Sequence, residues 1–415
     1  MNKLRKVFIV LFACICCWFA FADDDSGRLV ELKFELPFGL TNNTLALADY
    51  FVPEIVIDLS EFVEKMPSEG FVIGTRFDPS IAAKVSLKNG PMVAAKVGLN
   101  TYTRLGLSKD VFDFIANGNE RNKDLSIKES IDGYFDMFGY VEGSVGFTFD
   151  KKYHFTATPA LYTTIYHMGL YNSYVNVFNK LDGSFGFIVE GNIDTYSVIP
   201  VNDTIITAEY WQNYNQYINM LWMALGFDCG ADFGWDISRN LKLNAYLRMP
   251  LVPSHLNEKT IIKYSAAEET SVNEIATGEI KDIEQDLQFG ETVSVDYYIN
   301  RPLKASVGLD YSLLGNMINC FGKVGLGIEH PFAENKEEMG VYVDYLLGAR
   351  LSLLNMFKIT LSTECNDMIY SQSLNVAANL KFLEIDAGIS SSSSNLLSSL
   401  RGSGISVYTA FCIGF

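Results

Sequence analysis

The sequence is poor in histidine, poor in basic residues relative to acidic ones, and has no long apolar run beyond residue 22. Each shortage removes a class of protein. A membrane helix needs ~20 consecutive apolar residues, so nothing after residue 22 is expected to cross a bilayer as a helix. The 4 histidines, His154, His167, His255 and His330, fall in no nucleophile or metal spacing such as GxSxG or HExxH. A Walker loop and a dinucleotide fingerprint are also missing, and the glycines of "GKVGLGIEH" sit in alternating sequence, where small strand residues explain them. No catalytic residue, metal ligand or cofactor is therefore expected. With 32 Lys+Arg against 49 Asp+Glu, nucleic acid and anionic headgroups are poor partners.

The apolar run that does exist lies at the start. "MNKLRK" is basic, "VFIVLFACICCWFAF" is apolar, and Ala20-Phe21-Ala22 precedes "DDDSG". This reads as a secretory signal peptide over residues 1–22, the apolar part being shorter than a spanning helix requires. Lys3, Arg5 and Lys6 fall within it and no acidic residue does, so its removal takes the net charge from −17 to −20. Cys14, Cys16 and Cys17 go with it. Cys229, Cys320, Cys365 and Cys412 remain, and their spacing selects no metal site and no disulfide pairing.

What the sequence has in abundance is aromatic residues, with 29 Phe and 22 Tyr, spread at period two. In "VELKFELPF", Val30, Leu32, Phe34, Leu36 and Phe38 share one face while Glu31, Lys33 and Glu35 share the other. Around Asn89-Gly90, a strong hairpin turn, the same alternation flanks both sides and places Lys84, Lys96 and Arg104 on one polar face. The unit recurs as "GYVEGSVGFTF"–"DKK"–"YHFTATPALYTTIY", "LGFDCGADFGWDI"–"SRN"–"LKLNAYLRMPL", "TVSVDYYI"–"NRP"–"LKASVGLDYSLL" and "VYVDYLLGARL" with "FKITLSTE". His154 falls on the polar face of its strand. Long polar connections are expected at residues 254–288 and 390–403. Short turns alternating with long loops, over residues 23–415, predict an all-β fold: a closed antiparallel transmembrane β-barrel of about 14 strands, within 12–16. In lipid a sheet must close on itself to pair its backbone groups, and the matched first and last strands suit such a seam. "LSKDVFDFIANGN" breaks the pattern and predicts a short helix over residues 108–118, in the lumen or at a rim.

The last residues, "ISVYTAFCIGF", place Val407, Phe411, Ile413 and Phe415 on one apolar face, with Thr409 a mild departure. Together with the signal and the hairpin series, they resemble bacterial outer-membrane β-barrel proteins of the porin-like superfamily. The resemblance implies an outer-membrane location, a lipid environment and an assembly signal at Phe411, Ile413 and Phe415 read by the barrel-assembly machinery. "GLNTYTRLGLSKDVFDFIANGN" more weakly resembles a strand-then-helix element of large barrels related to fatty-acid transporters.

Parity puts a set of charges inside such a barrel: Asp228, Asp232 and Asp236 on one strand, Lys242 and Arg248 on the next, and Lys96 and Arg104 elsewhere. Further inward candidates are Glu142, Glu190, Asp296, Asp310, Asp344, Glu364, Glu384 and Asp386, with Lys304, Arg350 and Lys381. Charge in a narrow lumen sets permeant selectivity. The leading expectation is a passive, weakly cation-selective channel for small hydrophilic solutes. The alternatives are a transporter of hydrophobic compounds with a plugged lumen, and a structural or surface-exposed barrel without transport. The solute and the oligomeric state are not legible.

Overall fold

Period-two alternation yields strands that lipid can wet on one face and water on the other, and the described residues form 19 of them in one antiparallel sheet. The computed structural model describes residues 28–46, 58–87, 91–117, 125–201, 214–271, 284–329, 331, 340–353, 356–380 and 382–415. The expected signal peptide, the Asn89-Gly90 turn, His330 and Lys381 lie outside the described residues.

Fourteen strands close into a ring. They begin with β1 (Val30–Asn42), then a second strand interrupted at Asp78–Pro79 into β2 (Phe71–Phe77) and β3 (Ser80–Ser86). Next come β4 (Met92–Leu107), β5 (Leu125–Phe149) and β6 (Tyr153–Asn179). β7 (Ser184–Ser197) leaves the ring, which resumes with β8 (Gly226–Asp236) and β9 (Leu241–Val252). β10 (Ser254–Ser271), β11 (Glu284–Phe289) and β12 (Val293–Ile299) again lie outside it. β13 (Leu303–Leu313), β14 (Ile318–Ile328), β15 (Val341–Leu353), β16 (Phe357–Asn366), β17 (Ile369–Asn379), β18 (Leu383–Ser393) and β19 (Ile405–Gly414) complete it. The seam joins β1 to β19 from Glu31↔Gly414 to Leu40↔Ile405, and Phe415 adds a backbone bond to Val30. Every barrel strand thus has two neighbours, as lipid demands.

The outer face is apolar along the whole seam: Leu32, Phe34, Leu36, Phe38, Phe411 and Ile413 are exposed. No described helix is long and apolar enough to cross a membrane; a closed ring of strands with an apolar outward face is the form in which a sheet can stand in lipid. The start of β1, the end of β19 and the short turns at 150–152 and 237–240 sit at one end, and most of the longer connections at the other. The Asp150–Lys151 turn has both residues at positive φ, as a tight hairpin needs. Among the described residues Cys229, Cys320, Cys365 and Cys412 are all free thiols.

At the long-loop end one wall keeps growing. β6 pairs with β8 through Tyr162 and with β7 from Tyr166 onward. Register shifts near Phe138 and at Tyr171–Tyr174, where Asn172 has φ 48, bend it between the two partners. β10 then pairs with β7 from Glu258↔Ser197 to Ser271↔Ser184 and carries β11 and β12 on its other edge. This four-strand ribbon, rooted in β5 and β6, stands above the ring. A core of Phe138, Tyr140, Tyr162, Val198, Leu256 and Ile299 fills the junction.

Three expectations are corrected. Residues 254–288 are not a loop: where described they are β10 and β11, because strands outside the lipid can carry charge on both faces. The polar connection expected at residues 390–403 begins only after Ser393, where β18 ends, and holds a short helix (Leu396–Leu400). Its serines are buried and bond one another, with Ser371 to Ser392 at 2.9 Å, Ser406 to Ser392 at 2.8 Å and Ser398 to the Asn43 carbonyl at 2.7 Å. Finally, β12 and β13 form no hairpin: β12 pairs with β10, and β13 with β9 and β14. The linker between them, Asn300-Arg301-Pro302, turns into the lumen. Pro302 has no N–H to continue a ladder, and Arg301 is drawn to interior carboxylates.

Candidate functional site

The interior is built from the alternate residues that the outer face leaves over, and it is crossed by ion pairs. The β16–β17 connection is a two-residue turn, Asp367-Met368, with φ 53 and 61. Asp367 accepts a bond from the Tyr342 hydroxyl at 2.7 Å on β15 and pairs with Lys304 of β13 at 2.5 Å. Its backbone N–H donates to Asp344 at 3.0 Å. On its other side the Arg76 guanidinium of β2 lies 3.8 Å away and also pairs with Asp78. β2 belongs to the second barrel strand and β13 is the eighth, so Arg76, Asp367 and Lys304 bridge nearly opposite walls of a ring of fourteen. Only a turn standing inside the ring can touch both. This bar of side chains spans the lumen.

A second cluster lies beside it. Arg301, 4% exposed, places its guanidinium 3.1 Å from Glu142 and 3.1 Å from Asp228. It also lies over the Tyr140 ring at 4.8 Å and near Tyr162 at 5.9 Å. Arg248 secures the linker by donating to the Pro302 carbonyl at 3.2 Å. A buried ion pair repays its desolvation only when its partners are well placed, so these contacts hold one geometry. Positive and negative groups are nearly balanced in both clusters, which leaves little unpaired charge for a permeating ion.

The sequence-derived candidates divide accordingly. Asp228 and Arg248 meet the Asn300-Arg301-Pro302 linker, while Asp232 is exposed and Asp236 pairs with Lys242 at 3.7 Å and His154 at 3.3 Å. Lys96 pairs with Glu35 at 3.4 Å and lies over Tyr140. Arg104 lines a vestibule at the long-loop end. Two candidates are not luminal. Glu190 is on β7 of the ribbon, where it accepts from the Tyr174 hydroxyl, and Asp296 is on β12, where it meets His255 at 2.9 Å. Arg76, Arg301, Tyr342 and Asp367 were not singled out from sequence. Their signals are faint: an Arg-Pro step and an Asn-Asp-Met turn, neither tied to a partner by spacing.

Above the bar the vestibule is lined by Val72, Tyr102, Tyr134, Phe138 and Met368, with Arg104, Asp136 and Glu329 among them. Asp136 meets His167 at 2.6 Å, and the other ring nitrogen of His167 meets the Tyr297 hydroxyl at 3.2 Å. Beside the bar, against β17 to β19, a groove of ≈ 320 Å³ is lined by Ser371, Ser373, Asn375, Ser390, Ser392 and Ser406. The helix expected over 108–118 is Lys109–Asn117, and it is not the obstruction. It packs on the helix Leu59–Lys65 through Phe62, Phe71 and Phe112, whose ring centroids are 5.4 to 5.9 Å apart, and Lys109 donates to the Met66 carbonyl at 2.9 Å.

No family model and no curated relative matches the chain. Solved structures similar to it are membrane barrels. One is a TodX deltaS2S3 mutant monoaromatic hydrocarbon channel, at 9% identity and TM-score 0.48, covering 96% of each chain. Another is the Ralstonia pickettii toluene transporter TbuX, at 8% and 0.44, covering 96% of this chain and 95% of that one. A third is a Pseudomonas aeruginosa FadL homologue, at 9% and 0.44, covering 94% and 90%. At these identities no residue role passes from them to this chain.

Proposed function

We propose that the chain is a gated transporter for small, largely apolar solutes across the outer membrane, closed in the state described. The observation that carries this reading is the bar of Arg76, Asp367 and Lys304 across the lumen. Ion pairs that tie nearly opposite walls together across the lumen obstruct free passage through its centre. The vestibule above the bar combines an apolar and aromatic wall with a few polar groups, the make-up of a small-molecule site. Passage then requires the Asp367-Met368 turn to move.

The serine-lined groove supports a second reading, in which hydrophilic solutes pass beside the bar. Planar-bilayer recording separates the two. The gated reading expects very low ionic conductance from the wild type and a higher conductance from Asp367→Ala or Lys304→Ala. Calorimetric titration of the detergent-solubilised protein should then show binding of a monocyclic apolar compound, weakened by Tyr134→Asp, and none of a simple sugar. A wild type that conducts salt freely would overturn the gated reading in favour of the hydrophilic one.

A further inference from the structure

Between β7 and β8 the chain forms a helix, Tyr214–Met223, whose sequence "YNQYINMLWM" contains no charged residue. In a protein that is 20% charged, a helix meant for water would carry some. One side of it is accounted for: Tyr217, Met220 and Leu221, at helical spacing, pack with Ile165 and Ile199. The other side is exposed. Ile218 is 47%, Trp222 51% and Met223 68% exposed, and Ile218 and Trp222, four apart, form one ridge.

The position of this ridge says what covers it. The helix runs into Ala224, whose carbonyl accepts from the Ser254 hydroxyl at 2.7 Å and the His255 N–H at 3.3 Å. That ties its C-terminal end to the junction of β9 and β10, where the wall leaves the ring. At the end of β9 that leads into this junction, Met249 and Leu251 are exposed, on the outward face by alternation from Leu247. The helix is thus fixed at the end of the ring where the apolar outward face stops.

We infer that the Tyr214–Met223 helix is an interfacial anchor, seated on the lipid surface at the long-loop end with Ile218, Trp222 and Met223 in the boundary between headgroups and chains. Tryptophan favours that boundary, its ring being apolar with one polar edge. Surface-bound helices usually add basic residues for anionic lipid. This one has none, so its binding is by apolar burial alone, and a zwitterionic surface suffices.

The inference rests on the membrane barrel, and its test separates the two. The chain lacking residues 1–22 is refolded into phosphatidylcholine vesicles as two variants: Trp211→Phe with Trp235→Phe, which keeps Trp222, and Trp211→Phe with Trp222→Phe, which keeps Trp235 in the barrel wall. Lipids brominated near the headgroup or near the chain end are then used as quenchers. Trp222 fluorescence should be quenched more strongly by the shallow bromines than by the deep ones. No quenching of Trp222 by either, with Trp235 quenched, overturns the anchor and leaves the barrel standing. No quenching of Trp235 overturns the membrane reading itself and the anchor with it.

Discussion

Arg301 shows how much one residue can organise. It pairs with Glu142 and Asp228 from a linker that belongs to neither of their strands. Asp228→Asn leaves a buried guanidinium short of a partner, and removing one side of such a pair costs about 3–5 kcal/mol. Asp232→Asn, at an exposed luminal position, should stay within about 0.5 kcal/mol. Urea unfolding of the two variants in detergent, with the wild type alongside, reads the difference. Equal midpoints for both would show that the Arg301 contact contributes nothing to stability. The contrast also marks the limit of legibility at this scale. Alternation gave Asp228 and Asp232 the same facing, because period two is local. It could not tell which of them meets an arginine, because that arginine lies far along the chain in a stretch that reads as a turn.

The ribbon of β7 and β10 to β12 is the element the sequence concealed. Alternation is strong wherever one face meets lipid, so the barrel strands and most hairpins could be read. It fades above the membrane, and "NEKTIIKYSAAEETS" looked like a loop although it pairs with β7 over its length. The ribbon's tip is held by charge. Lys180 pairs with Glu269 at 2.5 Å, and this bond holds the Glu269 carboxyl below its ordinary pKa. Asp182 is likewise held low, by the Ser184 hydroxyl and N–H. A depressed carboxylate pKa contributes stability that is present above the unfolded value and lost as pH falls through the folded one. Hydrogen exchange at the β6–β7 tip should therefore quicken as pH drops below about 4, the unperturbed carboxylate range, after correction for intrinsic rates. Lys180→Ala should flatten that dependence. Exchange that follows only the intrinsic rate in the wild type would remove the charge clamp.

At the scale of the molecule, the seam decides whether there is a barrel at all. Phe411, Ile413 and Phe415 line the outer face of the last strand, and Phe415 is the most exposed of them. We propose that they form the assembly signal. Deleting Phe415 or making Phe415→Asp should leave export unchanged and lower the amount inserted in the outer membrane, measured as the heat-modifiable band after extraction. Normal insertion of both variants would dismiss the signal.

The seam also sets the order of events in time. β1 and β19 pair the two ends of the described chain, residue for residue, from Glu31↔Gly414 to Leu40↔Ile405. Closing a loop that long is costly in entropy and slow. The ring cannot shut until its final strand has been delivered, so the first strand must wait with its seam edge unpaired, the form in which β-chains aggregate. Until the ring shuts, that edge is open to any other strand, so the rate of closure sets how long the chain is exposed to mispairing.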